Sequence, residues 1–149
     1  MTKHKGKWVG LTLHHTAGSI SDTVESIRKI HLTKGYGDIA YNFVLEIKNG
    51  KGYLKKGRDA IYNGGHSGVD YYNKNYLSIV IPGNYSKYKV DSTVYNDLID
   101  AICHIIKKYD LKHLNAHREI KATECPGKFI NIDKIRDEVS KRLGYTIEK

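Results

Sequence analysis

Two stretches set the terms for any fold this chain adopts: Leu11-Thr-Leu-His-His-Thr-Ala-Gly18 near one end and Ala116-His-Arg-Glu-Ile-Lys-Ala-Thr-Glu-Cys-Pro-Gly127 near the other. They carry His14, His117 and Cys125, which act together only if the fold brings both stretches to one place. Two imidazoles and a thiolate are borderline-soft donors suited to zinc, and three protein donors leave a fourth tetrahedral position for water or substrate. A structural zinc site is ordinarily closed by a fourth side chain, often with ligands in tight pairs. Here the donors are isolated, each at the mouth of a predicted loop, which points to an open, catalytic ion. Cys125 with His117 also admits a second chemical reading, a thiol nucleophile beside its base. A third is structural, since a histidine at a strand end often serves only as a hydrogen-bonded residue.

The segments between these stretches read as alternating strands and helices. Trp8–Leu13 has the alternation of a strand running into His14. Asp22 followed by Glu25 predicts a helix start, and Val24, Ile27, Ile30 and His31 recur at helical spacing. Ile39–Ile47 reads as a strand with Tyr41, Phe43, Leu45 and Ile47 on one face. Asn49-Gly50 turns it into a hairpin with Gly52–Lys55. Residues 57–75, rich in Gly, Asn, Tyr and Ser, read as a long substrate-facing loop. Leu77–Ile81 is a short buried strand. Asp91 or Ser92 caps the longest helix, with Val94, Leu98, Ile102, Ile105 and Tyr109 along one face. His113–Ala116 is a brief strand ending at His117. Asn131 or Asp133 caps a last helix, with Ile132, Ile135, Val139 and Leu143 inward and Gly144 at its end. The expected architecture is α/β: one mixed central sheet flanked by about three α-helices, in a single domain spanning 1–149.

Charge narrows the partners. Lys+Arg 25 against Asp+Glu 16 gives a net +9, which favours polyanions: nucleic acid, anionic lipid or anionic cell-wall polymer, among which charge alone does not choose. The basic residues are spread along the chain without a block, so specific nucleic-acid recognition is not expected. No apolar run approaches the ~18 residues of a membrane span. The first ten residues lack the apolar core of a signal peptide, so synthesis in the cytoplasm is expected. Of the two cysteines, Cys103 lies in an apolar helical pattern and reads as core, leaving Cys125 free for chemistry.

Several motifs in register resemble the type 2 N-acetylmuramoyl-L-alanine amidases, a zinc family that includes phage endolysins and peptidoglycan recognition proteins. Leu13-His14-His15-Thr16-Ala17-Gly18 is similar to the first signature of that family. His117-Arg118 with Thr123 and Cys125-Pro126-Gly127 is similar to the last. Ala40-Tyr41-Asn42-Phe43-Val44, Gly57-Arg58, His66-Ser67-Gly68 and Asn75-Tyr76-Leu77-Ser78-Ile79 match elements between them. Val80 departs from a glycine common there.

The resemblance implies one Zn2+ held by His14, His117 and Cys125, with His15 left to a structural role. It implies Tyr41 as the catalytic tyrosine and Thr123 as a further catalytic position, where a hydroxyl would donate to the developing oxyanion. His66 and, more weakly, Asn75 would bind the muramyl-peptide, while Arg58 holds the loop in shape. The implied reaction is hydrolysis of the amide between N-acetylmuramic acid and the L-alanine of peptidoglycan. A lytic phage or prophage enzyme, monomeric and acting on the wall after release, is the expectation. A peptidoglycan-binding protein of the same fold without catalysis is the alternative, which the presence of Cys125 disfavours.

Overall fold

The computed structural model describes residues 1–149. Strand β1 (Gly10–His15) runs parallel to β4 (Tyr76–Ile81) on one side and to β5 (His113–Ala116) on the other. Strand β2 (Phe43–Lys48) continues the sheet parallel to β4, and β3 (Lys51–Lys56) closes that edge antiparallel to β2, giving the order β3-β2-β4-β1-β5. The hairpin turn expected at Asn49-Gly50 is present, with both residues at positive φ, +51° and +73°, the geometry that a two-residue turn between twisted strands requires.

Alternation along the strands sorts side chains to two faces. Leu11 and Leu13 of β1, Phe43 and Leu45 of β2, and Leu77, Ile79 and Ile81 of β4 form the larger core with α3 (Ser92–Tyr109) and α4 (Ile132–Leu143). Asp91 caps α3 by accepting the Thr93 N–H, and Asn131 caps α4 by accepting the Lys134 N–H. Gly144 ends α4 in the left-handed region. Cys103 is free and buried within this core. The opposite face packs Val44 and Val80 against Val24 and Ile27 of α1 (Val24–Thr33), with Ile39 and Tyr41 beside them. Val80 is fully buried there, so the valine packs beneath α1. No helix is long and apolar enough to cross a membrane.

Four features differ from the sequence expectations. The first strand is 10–15 and not 8–13, so His14 and His15 lie inside it. Helix α1 is capped by a reciprocal Thr23–Ser26 pair and not by Asp22 with Glu25. The second strand begins at Phe43, because Asn42 spends its groups on side-chain contacts. Its N–H donates to Ser78 Oγ, its carboxamide oxygen accepts the Ser78 N–H, and its Nδ2 donates to the Arg58 carbonyl. With the chain irregular before Phe43, Tyr41 joins the α1 side and not the face of Phe43 and Leu45. The fourth is a short helix, α2 (Asp70–Asn75), inside the expected loop, which brings the helices to four where about three were expected.

Candidate metal centre

Register places the first two donors. Leu13 pairs with Ala116 across the parallel β1–β5 ladder, so the next residues along, His14 and His117, emerge side by side. Their ring centroids are 4.6 Å apart. Leaving β5, the chain makes one 3₁₀ turn at His117–Glu119 and returns through a loop to Cys125. That loop is closed by the Arg118 N–H donating to the Cys125 carbonyl at 2.8 Å, and by the Cys125 N–H donating to Thr123 Oγ1 at 3.2 Å. Gly127 then crosses the backbone of Tyr85 at a φ of +109°, where a Cβ would lie 2.3 Å from the Tyr85 carbonyl carbon. The passage therefore demands glycine.

The donor atoms of His14, His117 and Cys125 all lie within 4.8 Å of one another. His14 Nδ1 and Cys125 Sγ are 3.6 Å apart. Nitrogen and sulfur bound to one tetrahedral zinc stand about 3.6 Å apart, from bonds of about 2.0–2.1 and 2.3 Å. His15, one residue on, faces the other way and accepts the Tyr85 N–H on Nδ1 at 3.1 Å, while its own N–H donates to Cys125 Sγ at 3.4 Å.

Hydrogen bonding fixes which imidazole nitrogens are free. The Tyr76 carbonyl can only accept, so His66 donates to it from Nε2 at 3.0 Å. A neutral imidazole has one N–H, so His66 Nδ1 accepts from His14 Nε2 at 2.9 Å. His14 is left with a lone pair on Nδ1. His117 donates from Nε2 to the Ser67 carbonyl at 2.8 Å, which leaves its own Nδ1 as the donor atom. Burial, with the neighbouring histidines, holds His14 well below its ordinary pKa. Burial depresses His66 to about 4 and also lowers His117. The rings are thus neutral near pH 7, as metal ligation requires. Burial pushes the Cys125 thiol up to about 11, against the pull of the His15 N–H and of Arg118.

These shifts predict the proton balance of metal binding. The histidines have no proton to lose near neutral pH, whereas the thiol must ionise. Zinc binding should therefore release about one proton, and apparent affinity should climb about tenfold per pH unit towards the thiol pKa. Calorimetry in buffers of different ionisation enthalpy measures the count. Release of two or more protons would mean charged histidines; release of none would remove Cys125 from the ligand set.

The remaining expected residues divide. Tyr41 is brought to the cluster, its ring centroid 5.1 Å from that of His14. Burial and the nearby Cys125 raise its pKa far above the ordinary phenol value. Thr123 is exposed in the ligand loop. Arg58 ties its loop through Nε to the Ile39 carbonyl and Nη1 to the Asn63 carbonyl. Asn75 is not brought to the cluster. It precedes β4 at the end opposite His14, which pairs with Val80, and its Nδ2 donates to the Tyr71 carbonyl.

His66, expected against substrate, is buried with both ring nitrogens taken. Its Nδ1 accepts from His14 Nε2, a contact that would orient the His14 ring towards a bound ion. Replacing His66 with Phe should lower zinc affinity about 10–100-fold, the usual cost of losing a ligand's outer partner. A competitive zinc titration reads this; unchanged affinity with weakened muropeptide binding would restore the substrate role. Sequence reasoning missed Ser67, which acts through a backbone carbonyl that no residue pattern reveals. It also missed His31, whose ring centroid is 5.6 Å from that of Tyr41 and whose Nδ1 accepts the Ala40 N–H.

The chain is similar to known proteins in sequence and in fold. A family model described as N-acetylmuramoyl-L-alanine amidase matches residues 4–128. Peptidoglycan-recognition protein SC1a of Drosophila melanogaster is 29% identical over 129 residues, spanning 79% of this chain and 67% of that protein. Peptidoglycan-recognition protein SC2 of the same species is 31% identical, across 77% of this chain and 66% of its own length. Among solved structures, the N-acetylmuramoyl-L-alanine amidase LysC from Clostridium intestinale URNW superposes with a TM-score of 0.78 at 24% identity, covering 98% of this chain and 95% of that one. Drosophila peptidoglycan recognition protein SD gives 0.75 at 19% identity, covering 99% and 88%. At such identities the structural matches speak for the fold.

Proposed function

The chain belongs to the N-acetylmuramoyl-L-alanine amidase family, and from that premise we propose that it is a zinc hydrolase cleaving the amide between N-acetylmuramic acid and the L-alanine of peptidoglycan. The observation that carries the reading is the set of three convergent donors, with the far nitrogens of both histidines committed elsewhere. His14 is buried while His117 and Cys125 are half-buried, so an ion held by the three would be reachable from solvent on the side of His117 and Cys125. When bound, the ion supplies Lewis acidity that acidifies water and polarises a carbonyl.

The chain's own groups do the rest. Tyr41, protonated at neutral pH, donates a hydrogen bond that orients the attacking water or the carbonyl oxygen. Thr123 Oγ1 accepts the Cys125 N–H and keeps its own proton for the oxyanion. His66 and Ser67 hold the ligating rings in place.

Digestion of purified peptidoglycan with the metal-loaded protein, followed by mass spectrometry, tests the bond assigned. Free stem peptides beginning with L-alanine, with glycan strands intact, are the expected products; shortened glycan would mean a different bond. Binding without cleavage is the second reading, favoured by the recognition proteins among the relatives. It would be seen as retention on the wall with no products.

We place the protein's action at the cell wall, as a lytic enzyme of phage or prophage type. Its +9 charge would draw it to anionic wall polymers, an attraction screened over ~10 Å at 0.1 M salt. Lytic activity on whole cells should therefore fall as salt rises, while cleavage of a small uncharged substrate stays level. Equal salt dependence of both would remove the electrostatic contribution.

A further inference from the structure

The loop between the second and third donors carries a charge that the ligand set leaves unused. Lys121 lies four residues after His117 and four before Cys125, and its N–H donates to the His117 carbonyl at 3.1 Å. Its side chain crosses to the loop that holds His117 from the other side. A Cβ built on Gly68 would stand 2.1 Å from Lys121 Nζ, 3.2 Å from Cε and 3.3 Å from Cδ. The end of the lysine therefore occupies space that any other residue at 68 would fill. Gly68 is in the left-handed region, at φ +73°, and directly follows Ser67, whose carbonyl accepts from His117 Nε2.

The ammonium is placed but not partnered. Lys121 is exposed and, like most lysines of the chain, joins no ion pair, and its Nζ makes no hydrogen bond within the chain; what sets it apart is its place against the Ser67–Gly68 backbone. The acid nearest in sequence on the same loop, Glu119, is committed to Arg136 at 2.7 and 2.9 Å and to the Ala116 N–H. Three N–H donors thus stand beside Gly68, next to the Ser67 carbonyl that accepts from His117. They stand on the Nε2 side of His117, away from its metal-facing nitrogen.

We propose that Lys121 is a specificity-determining residue whose ammonium pairs with a carboxylate on the peptide stem, beyond the amide to be cut. The inference rests on the amidase reading for the identity of the ligand. An exposed charged pair contributes up to about 1 kcal/mol, which is about fivefold in affinity.

The test uses two synthetic stem peptides beginning with L-alanine, identical except that one carboxylate is a carboxamide in the second. Their binding to the zinc-loaded full chain is measured by calorimetry. The wild type should prefer the carboxylate peptide by about three- to fivefold, and added salt should compress that preference. Lys121→Gln should bring the ratio to about one, Lys121→Glu should invert it, and Lys121→Arg should retain it. A Lys121→Gln ratio equal to that of the wild type, or a wild type that does not discriminate, overturns the proposal. Because these peptides are products, the ratio is read without cleavage. A protein that discriminates but never cleaves would overturn the amidase assignment and leave that of Lys121 standing.

Discussion

Cys125→Ala is expected to lose stoichiometric zinc and at least about a thousandfold in the rate of stem-peptide release, since the site acts as a unit. Two imidazoles alone hold zinc poorly, and the thiolate is the donor that brings negative charge to a centre otherwise made of neutral rings. Cys125 is half-buried at the base of a loop closed by backbone hydrogen bonds, so the fold should survive the substitution. Far-UV circular dichroism should match the wild type, and a chelator should lower the melting temperature of the wild type but not of the variant. Cleavage retained in Cys125→Ala with zinc absent would exclude the metal reading. Loss of cleavage with zinc fully retained would point instead to the thiol as nucleophile.

Tyr41→Phe should keep zinc and lower kcat by about 10²–10³ with little change in KM, the usual weight of a proton-handling or oxyanion-donating group. The hydroxyl is not among the sealed atoms left without a partner, and the ring that packs beside His14 and His31 is conserved by phenylalanine. Stability should accordingly be unchanged. Because the phenol is protonated at neutral pH, it enters as a donor, and no inflection from its ionisation is expected in the neutral range. A kcat within a few-fold of the wild type would reduce Tyr41 to packing.

How much of this was legible in the sequence depends on the range of the forces involved. Most local signals held, the Asp22–Glu25 start of α1 excepted: Asp91 and Asn131, each one of two candidates, start their helices, Gly144 ends the last, and Asn49-Gly50 makes its turn. The opposite facing of His14 and His15 follows from strand alternation alone. The long-range contacts did not show. Asn42 replaces two rungs of a ladder with bonds to a residue 36 positions away, and no propensity scale registers that. Helix α2 buries no residue and has no side-chain cap. It is held in place partly by Asn73 Oδ1, which accepts the N–H groups of His66 and Ser67. His66 sits behind His14 across 52 residues, so its motif was visible but its direction was not. Asn75 illustrates the converse, a motif residue that the fold leaves at the far end of its strand.

X-ray absorption at the zinc edge of the protein loaded with one equivalent tests the central claim most directly. Two nitrogen scatterers at about 2.0–2.1 Å, one sulfur at about 2.3 Å and one further light atom from solvent are predicted. A spectrum without sulfur, or one with a second sulfur or third imidazole closing the shell, would contradict an open centre built by His14, His117 and Cys125.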